Sequence, residues 1–392
     1  MIVLVYLAFV SLGLPDGVLG IAWPSIRTEY GLAQASLGIL LVGAGPGYFL
    51  SGIMVGRVLG RLGLVRTLVA STALVALGLA GFALALPWPL PILALGIAGL
   101  GSGTIDAGIN AYAAARFSAR KVNWLHACYS VGATVGPTLM TLVLSAGLGW
   151  RVGYAILATL LAGLALLFAA TGSAWRAEAI PAIVRVAPRK APWAALKHPL
   201  VPVQTALFFT YTGVEATLGA WAFTTLHEER GAPAALAGAA VSAYFGAILA
   251  GRVLLGAAVD VIGADRLVRL GTLGTLAGAL LFAAGPAPLA YLGLVLAGLA
   301  LAPIFPTLIS RTAERLAPDI AIHAVGFKVS AAMVGSAALP IATGLAAQFL
   351  GLGAVGPIVV GTAIALLALH EALLRLARRH ALDSPDVRFA LR

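Results

Sequence analysis

Five ionisable side chains stand inside long apolar stretches of this 392-residue chain. They are Asp16, Asp106, His126, Glu215 and Lys328. A charged side chain at the centre of a membrane costs about 2.5–3.5 kcal/mol on insertion scales, so such residues usually face a cavity or a partner. Burial in a poorly solvated cavity disfavours the charged form of a carboxylate, which lets it exchange protons near neutral pH. Proton exchange and ligand binding are therefore the chemistry that we expect here.

Each of the three acids also has a structural explanation. Asp16 could cap a break in its helix, because Pro15 and Gly17 flank it. Asp106 lies four residues before Asn110, so the two share a helix face and could form a buried network. Glu215 could form a structural ion pair with a lysine of another segment.

Lys328 and His126 leave similar alternatives open. Lys328 could extend to the membrane surface, bind an anionic substrate or neutralise Glu215. A hydrogen-bonded packing role for His126 competes with a role in proton relay. A zinc site formed by His126, Asp16 and Glu215 is not expected, because their spacing is not typical of zinc ligands. We predict no metal and no cofactor.

The composition indicates an integral membrane protein. Hydrophobic residues make up 61% of the sequence and charged residues 10%, whereas soluble domains carry about 25% charged residues. The apolar segments have the length of membrane helices rather than of barrel strands. We predict an all-α membrane protein with twelve transmembrane helices in two pseudo-symmetric six-helix bundles. The predicted segments are 2–27, 34–58, 64–86, 90–115, 122–147, 151–172, 200–225, 233–258, 266–285, 287–310, 321–348 and 353–375.

The net charge of +11 arises from basic residues that lie mostly in the predicted loops. Of the 25 Lys and Arg residues, 21 fall on the side that would hold both termini, which predicts cytoplasmic termini. Topology explains the basic excess, so no nucleic-acid partner is predicted. The first segment lacks a basic n-region and an evident cleavage site, which favours a retained span over a signal peptide. We expect a monomeric, multi-pass protein of a bacterial inner membrane.

An internal repeat divides the chain into halves. Asp16-x-x-Leu19-Gly20 resembles Glu215-x-x-Leu218-Gly219, 199 positions later, and Gly56-Arg57-Val58-Leu59-Gly60 resembles Gly251-Arg252-Val253-Leu254-Leu255-Gly256. Parallel repeats of this kind are one plan of membrane transporters. We predict an N-terminal bundle over 1–172, a basic cytoplasmic linker over 173–198, and a C-terminal bundle with a short tail over 199–392.

Six plus six helices, a basic central loop and this repeat together resemble the major facilitator superfamily. The stretch from Gly52 to Arg61 looks like the family's loop between helices 2 and 3, although Gly56 stands where an acid is usual. The resemblance implies gating roles for Arg57, Arg61 and Arg252. Other motifs look like the fucose-permease-like and related sugar-permease branch: Gly101-x-Gly103-x-x-Asp106-x-x-x-Asn110, Leu125-His126-x-x-Tyr129-x-x-Gly132, Tyr211-x-Gly213-x-Glu215 with Trp221, and Ala302-Pro303-Ile304-Phe305-Pro306-Thr307.

This resemblance implies a secondary transporter that works by alternating access. In that branch acids of helices 1 and 4 couple protons, which implies this role for Asp16 and Asp106. Glu215 could couple protons, bind substrate hydroxyls or pair with Lys328. Aromatic rings could stack on a sugar or anchor the helices at the membrane interface. The expected substrate-binding residues are Asn110, Tyr112, His126, Tyr129, Tyr211, Trp221 and Lys328.

Three classes of function stay open from the sequence. The leading hypothesis is a proton-coupled symporter of a small polar solute such as a sugar or related metabolite. The runner-up is a proton-coupled antiporter that exports drugs or cations, since three acids would also suit a cation. The third is a non-transporting membrane receptor. An enzyme is not predicted, because the sequence has no nucleophile constellation and no Gly-x-x-x-x-Gly-Lys phosphate loop.

Overall fold

The computed structural model describes residues 2–84, 86–117, 119–172 and 195–382, and this part of the chain is helical. Its α-helices are α1 (Ile2–Gly13), α2 (Val18–Tyr30), α3 (Ser36–Ala83), α4 (Leu90–Arg116), α5 (Ala119–Ser145), α6 (Trp150–Ala170), α7 (Leu200–Thr224), α8 (Ala234–Ile262), α9 (Ala264–Ala284), α10 (Ala287–Leu301), α11 (Ile304–Arg315), α12 (Pro318–Leu350) and α13 (Val355–Leu382). A π-helical turn, Thr225–Glu229, follows α7, and a 3-10 turn, Leu352–Ala354, precedes α13. No strand occurs among the described residues, which confirms the all-α prediction.

Ten helical stretches of the described chain are long and apolar enough to cross a membrane. Two of the twelve predicted segments are not among the ten. The second corresponds to a shorter apolar helix, Ser36–Gly52. The seventh corresponds to α7, which has 25 residues but carries polar side chains such as Gln204 and Glu215. A bilayer offers no water to backbone groups, so each span closes its own hydrogen bonds as a helix. The chain is a multi-pass membrane protein.

The second and third predicted segments are joined within α3. Gly63 interrupts the helix there with φ 72° and ψ 171°. The helix therefore continues through Arg57 and Arg61, whose side chains are exposed. Two of the three predicted gating arginines, Arg57 and Arg61, thus lie on helical backbone just before this kink.

Two predicted spans are interrupted within their length. α1 and α2 form the first span and are separated by a turn at residues 14–17. Gly17 has a left-handed φ of 72°, and a side chain there would meet the ring of Phe245. α10 and α11 form the other broken span and are separated at Ala302 and Pro303. Transporters use such breaks where backbone or side chains must reach a polar site.

The helices form two compact units. Unit 1 comprises Met1–Val184, Gly219–Leu249 and Gly344–Leu352, and unit 2 comprises Arg185–Leu218, Ala250–Thr343 and Gly353–Arg392. In unit 1, α3 packs along α4 and α6, and α1 packs on α5. In unit 2, α9 packs against α10 and α13. The bundle boundaries at 172 and 199 stay a prediction, and residues 173–194 of the predicted linker lie outside the described residues.

Candidate functional site

Asp106 is held by two neutral side chains in unit 1. Tyr48 of α3 donates its hydroxyl to Oδ2 of Asp106 at 2.5 Å, and Nδ2 of Asn110 donates to Oδ1 at 2.7 Å. Each carboxylate oxygen thus accepts one hydrogen bond. Within the described part of the chain, no lysine or arginine pairs with this carboxylate. The helical spacing of Asp106 and Asn110 produces the side-chain network that it predicts.

Close packing of α3 on α4 brings Tyr48 to Asp106. Gly103 lies one turn before Asp106, and a Cβ there would stand 2.7 Å from the carbonyl oxygen of Tyr48. Oγ of Ser51 donates to that same carbonyl at 2.6 Å. Sequence reasoning missed Tyr48, because one tyrosine in an apolar segment carries no periodic signal. The available clue was Gly103, which marks where another backbone approaches α4 next to an acid.

Asp16 lies in the turn between α1 and α2. Its Oδ2 accepts a hydrogen bond from the hydroxyl of Tyr129 on α5, and its charge also interacts with Tyr48. The N-cap residue of α2 is Gly17, which directly follows Asp16. Tyr48 is therefore a neighbour of both acids of unit 1.

Glu215 has the same kind of partner in unit 2, with a cation beside it. The hydroxyl of Tyr211, one turn earlier on α7, donates to Oε2 of Glu215. Arg252 of α8 also interacts with the Tyr211 hydroxyl. Arg252, which the resemblance implied as a gating residue, thus lies beside an acid–tyrosine pair.

Lys328 is completely buried in unit 2, with 0% of its surface exposed. Its Nζ donates to the carbonyl of Leu308 at 3.2 Å and to the hydroxyl of Thr312, and lies 5.0 Å from the ring centroid of Phe208. Among the described residues no carboxylate interacts with it. The alternative in which Lys328 neutralises Glu215 is therefore not what the structure shows.

Other predicted binding residues are packed inside their units. Tyr112 is 2% exposed and meets Phe117 edge-on, with ring centroids 5.8 Å apart. Trp221 is 0% exposed. His126 is half-buried and packs edge-on against Phe9 at 5.5 Å. Three predicted binding residues, Asn110, Tyr129 and Tyr211, each hydrogen-bond an acid.

Comparison with known proteins relates this architecture to membrane transport. The family model described as Major Facilitator Superfamily matches residues 5–221 and again residues 203–388. No curated protein matches the chain. Among solved structures, the nucleoside transporter NupG is similar, with a TM-score of 0.73 and 15% identity over 96% of this chain and 97% of that one. A bacterial homolog of the human lysosomal transporter Spinster reaches a TM-score of 0.76 with 15% identity over 98% of both chains. At such identities the likeness shows the fold.

Proposed function

Because the chain belongs to the Major Facilitator Superfamily and is a transporter rather than an enzyme, we propose that it is a proton-coupled symporter of a small polar solute. The proposed substrate class is a sugar or a related metabolite, in line with the motifs that resemble the fucose-permease-like branch. We place the protein in a bacterial inner membrane with both termini in the cytoplasm, as the distribution of basic residues predicts. It would work by alternating access.

The main support for this proposal is that Asp106 is hydrogen-bonded by uncharged side chains. If an arginine or lysine held this carboxylate, its protonation would leave a buried cation without a partner, which is strongly destabilising. Tyr48 and Asn110 are neutral, so protonation of Asp106 isolates no charge. The tyrosine hydroxyl is both donor and acceptor and can serve either form of the acid. Asp106 can therefore change its charge at low cost, as a proton-coupled carrier requires.

The other two acids complete the proposed machinery. We assign proton coupling to Asp16 as well, since Tyr129 offers it the same kind of neutral donor. Glu215 differs, because its partner Tyr211 also meets Arg252. That combination suits the binding of substrate hydroxyl groups in addition to proton exchange. Asn110, Tyr129 and Tyr211 are our preferred substrate contacts, because they already hydrogen-bond an acid.

The proposal is tested with purified protein in liposomes that hold a pH-sensitive dye. The external panel contains sugars, a sugar acid, a nucleoside and a cationic drug. We expect a sugar to acidify the lumen of wild-type vesicles, and vesicles with Asp106→Asn protein to stay silent. Uptake of a labelled sugar without proton movement would refute the coupling. Alkalinisation of acid-loaded vesicles by the cationic drug would establish the antiport alternative instead.

A further inference from the structure

Unit 2 contains a cavity of about 690 Å³ where several of its helices end. Its wall is formed by the first residue of α7, the start of α9 and the last turns of α11 and α13. Five arginines line it: Arg266, Arg269, Arg311, Arg315 and Arg378. The acids of the lining are Asp265 and Glu314, so cationic side chains outnumber acidic ones. None of the proposed proton-coupling residues, Asp16, Asp106 and Glu215, lines this cavity.

Carboxylates hold three of these arginines in place. Asp265 accepts hydrogen bonds from Nη2 of Arg311 at 3.2 Å and from Nη2 of Arg315 at 2.5 Å. Arg269 binds Glu371 through Nε and Nη2, both at 2.5 Å. Paired guanidinium groups of this kind are pre-organised. The wall of the cavity is therefore built before any ligand arrives.

Hydrogen-bond donors remain available after these pairings. The side chains of Arg266 and Arg378 are exposed, and no ion pair involves either of them in the part of the chain that the structure describes. Nε of Arg311 is buried and has no hydrogen-bond partner among the described residues. This N–H lies inside the wall, whereas the exposed guanidinium groups of Arg266 and Arg378 are open to an acceptor from outside the chain.

We propose that this cavity binds a phosphate-bearing anion, with Arg266 and Arg378 as its principal contacts. The planar guanidinium group donates two parallel hydrogen bonds to phosphate oxygens, which makes arginine well suited to phosphate recognition. The volume lies within the range of ligand pockets. Leu200, Leu374 and Ala377 add an apolar side to the wall. The phosphate can belong to an anionic lipid headgroup or to a soluble phosphate compound.

The position of the cavity bears on the source of the phosphate. It lies at the ends of membrane helices, where lipid headgroups are found, and basic pockets between membrane helices bind such headgroups. An apolar wall beside the arginines also matches the glycerol and acyl portions of a lipid. Inorganic phosphate would use the arginines alone, so the two sources are separable by experiment.

The test measures the thermal unfolding midpoint of purified protein in neutral detergent, together with bound lipid by native mass spectrometry. The probes are phosphatidylglycerol, phosphatidylcholine, inorganic phosphate and chloride at equal ionic strength. The site variant is Arg266→Gln with Arg378→Gln. The matched control is Arg66→Gln with Arg379→Gln, since these arginines are exposed and lie outside the lining. All four positions are at the surface, so both variants should fold.

We expect phosphatidylglycerol, but not phosphatidylcholine, to bind and to raise the unfolding midpoint. Its affinity should fall on the order of tenfold in the site variant and stay within about twofold in the control. An equal effect of inorganic phosphate, lost in the same variant, would support the site with a soluble ligand. Equal losses in both variants would mean general attraction to a basic surface and overturn the proposal. So would equal binding of phosphatidylcholine, or no anion effect beyond that of chloride.

Discussion

The two units satisfy their membrane-embedded charges in different ways. In unit 1, Asp106 is half-buried and accepts hydrogen bonds from neutral side chains, among them Tyr48 of a neighbouring helix. In unit 2, Lys328 is fully buried and donates to Thr312 under the face of Phe208. The hydrogen-bond partners described for both side chains are neutral, so exposure separates them: the acid is half-buried, whereas the lysine is enclosed by packing. An intramembrane charge is therefore a functional candidate only after its partners and exposure are known.

A second contrast separates the two kinds of acid. Asp106 and Glu215 each accept a hydrogen bond from a tyrosine hydroxyl. In unit 2 the tyrosine also interacts with Arg252, whereas no cation among the described residues takes this position at Asp106. We interpret the difference as a division of work, in which the acid with neutral partners changes its charge and the acid beside a cation contributes to binding.

Among the variants that test the difference between Asp106 and Lys328, Asp106→Asn should have the largest effect on transport. Asparagine has the shape of aspartate and keeps neutral hydrogen bonds to Tyr48 and Asn110, but it cannot carry the proton. We expect proton-driven accumulation in proteoliposomes to fall to background while substrate counterflow persists. Accumulation at wild-type levels would show that the charge of Asp106 is not used.

Glu215→Gln should damage substrate binding more than folding. The amide can still accept a hydrogen bond from Tyr211. A hydrogen bond from a substrate hydroxyl to this position would no longer be charge-assisted, and charge-assisted bonds are worth about 1.5–3 kcal/mol. We expect substrate affinity to weaken roughly tenfold or more, measured by equilibrium binding, with the unfolding midpoint close to that of wild type. A variant that does not fold would instead assign Glu215 to structure.

Tyr48→Phe tests whether the neutral partner itself matters. The hydroxyl that bonds Asp106 is removed while the ring is kept, so we expect proton-driven uptake to fall by up to about tenfold. Tyr30→Phe is the matched control, because the Tyr30 hydroxyl donates to the carbonyl of Leu86 at 2.9 Å rather than to an acid. Equal effects of the two changes would remove the special role of Tyr48.

Lys328→Met addresses the enclosed lysine of unit 2. Thr312 already donates to the carbonyl of Leu308 at 3.0 Å, so these two groups remain satisfied when the lysine is removed. Replacing a buried charge by an apolar chain of similar length is often neutral or stabilising. We expect an unchanged or higher unfolding midpoint, and a loss of about 2–5 kcal/mol for Lys328→Ala, which leaves a cavity.

A failure of substrate binding in well-folded Lys328→Met protein would favour the role in binding that the sequence predicted. A lower unfolding midpoint for the methionine variant would show that the charge stabilises unit 2. Either result would show that the charge of Lys328 is used, as we propose for the charge of Asp106.

The smallest effect concerns a titrating pair of unit 2. Ring nitrogens of His198 and His380 lie 3.2 Å apart, and burial together with the neighbouring His380 lowers the pKa of His198. The folded state thus favours neutral His198, so its contribution to stability is present above the ordinary pKa of 6.5 and is lost as the pH falls below it. His198→Gln should reduce the fall of the unfolding midpoint between neutral and acidic pH, by up to about 2 °C. An unchanged slope would contradict this.

The sequence was informative about classes and weak about contacts. Composition and segment length predicted the all-α membrane fold, and the resemblance of the repeat and the motifs predicted the family. The spacing of Asp106 and Asn110 offered their hydrogen bond as one alternative, and the structure shows this bond. Tyr48 was missed, since its role depends on how α3 is rotated against α4. For Lys328 the alternative as a counter-ion of Glu215 does not hold, because residues of α11 enclose it.

Composition and residue order alone determined that this chain is a helical membrane protein with a few ionisable residues inside its apolar segments. A bilayer has no water, so every apolar segment must close its own backbone hydrogen bonds, and every charge inside it needs a partner. Only helix packing decided which partner each charge has. Lipid and protein interior are both apolar, so a membrane helix carries no polar stripe that reveals its neighbours. The close contact at Gly103 brings Tyr48 to Asp106, and the position of Lys328 beside α11 gives the lysine neutral acceptors.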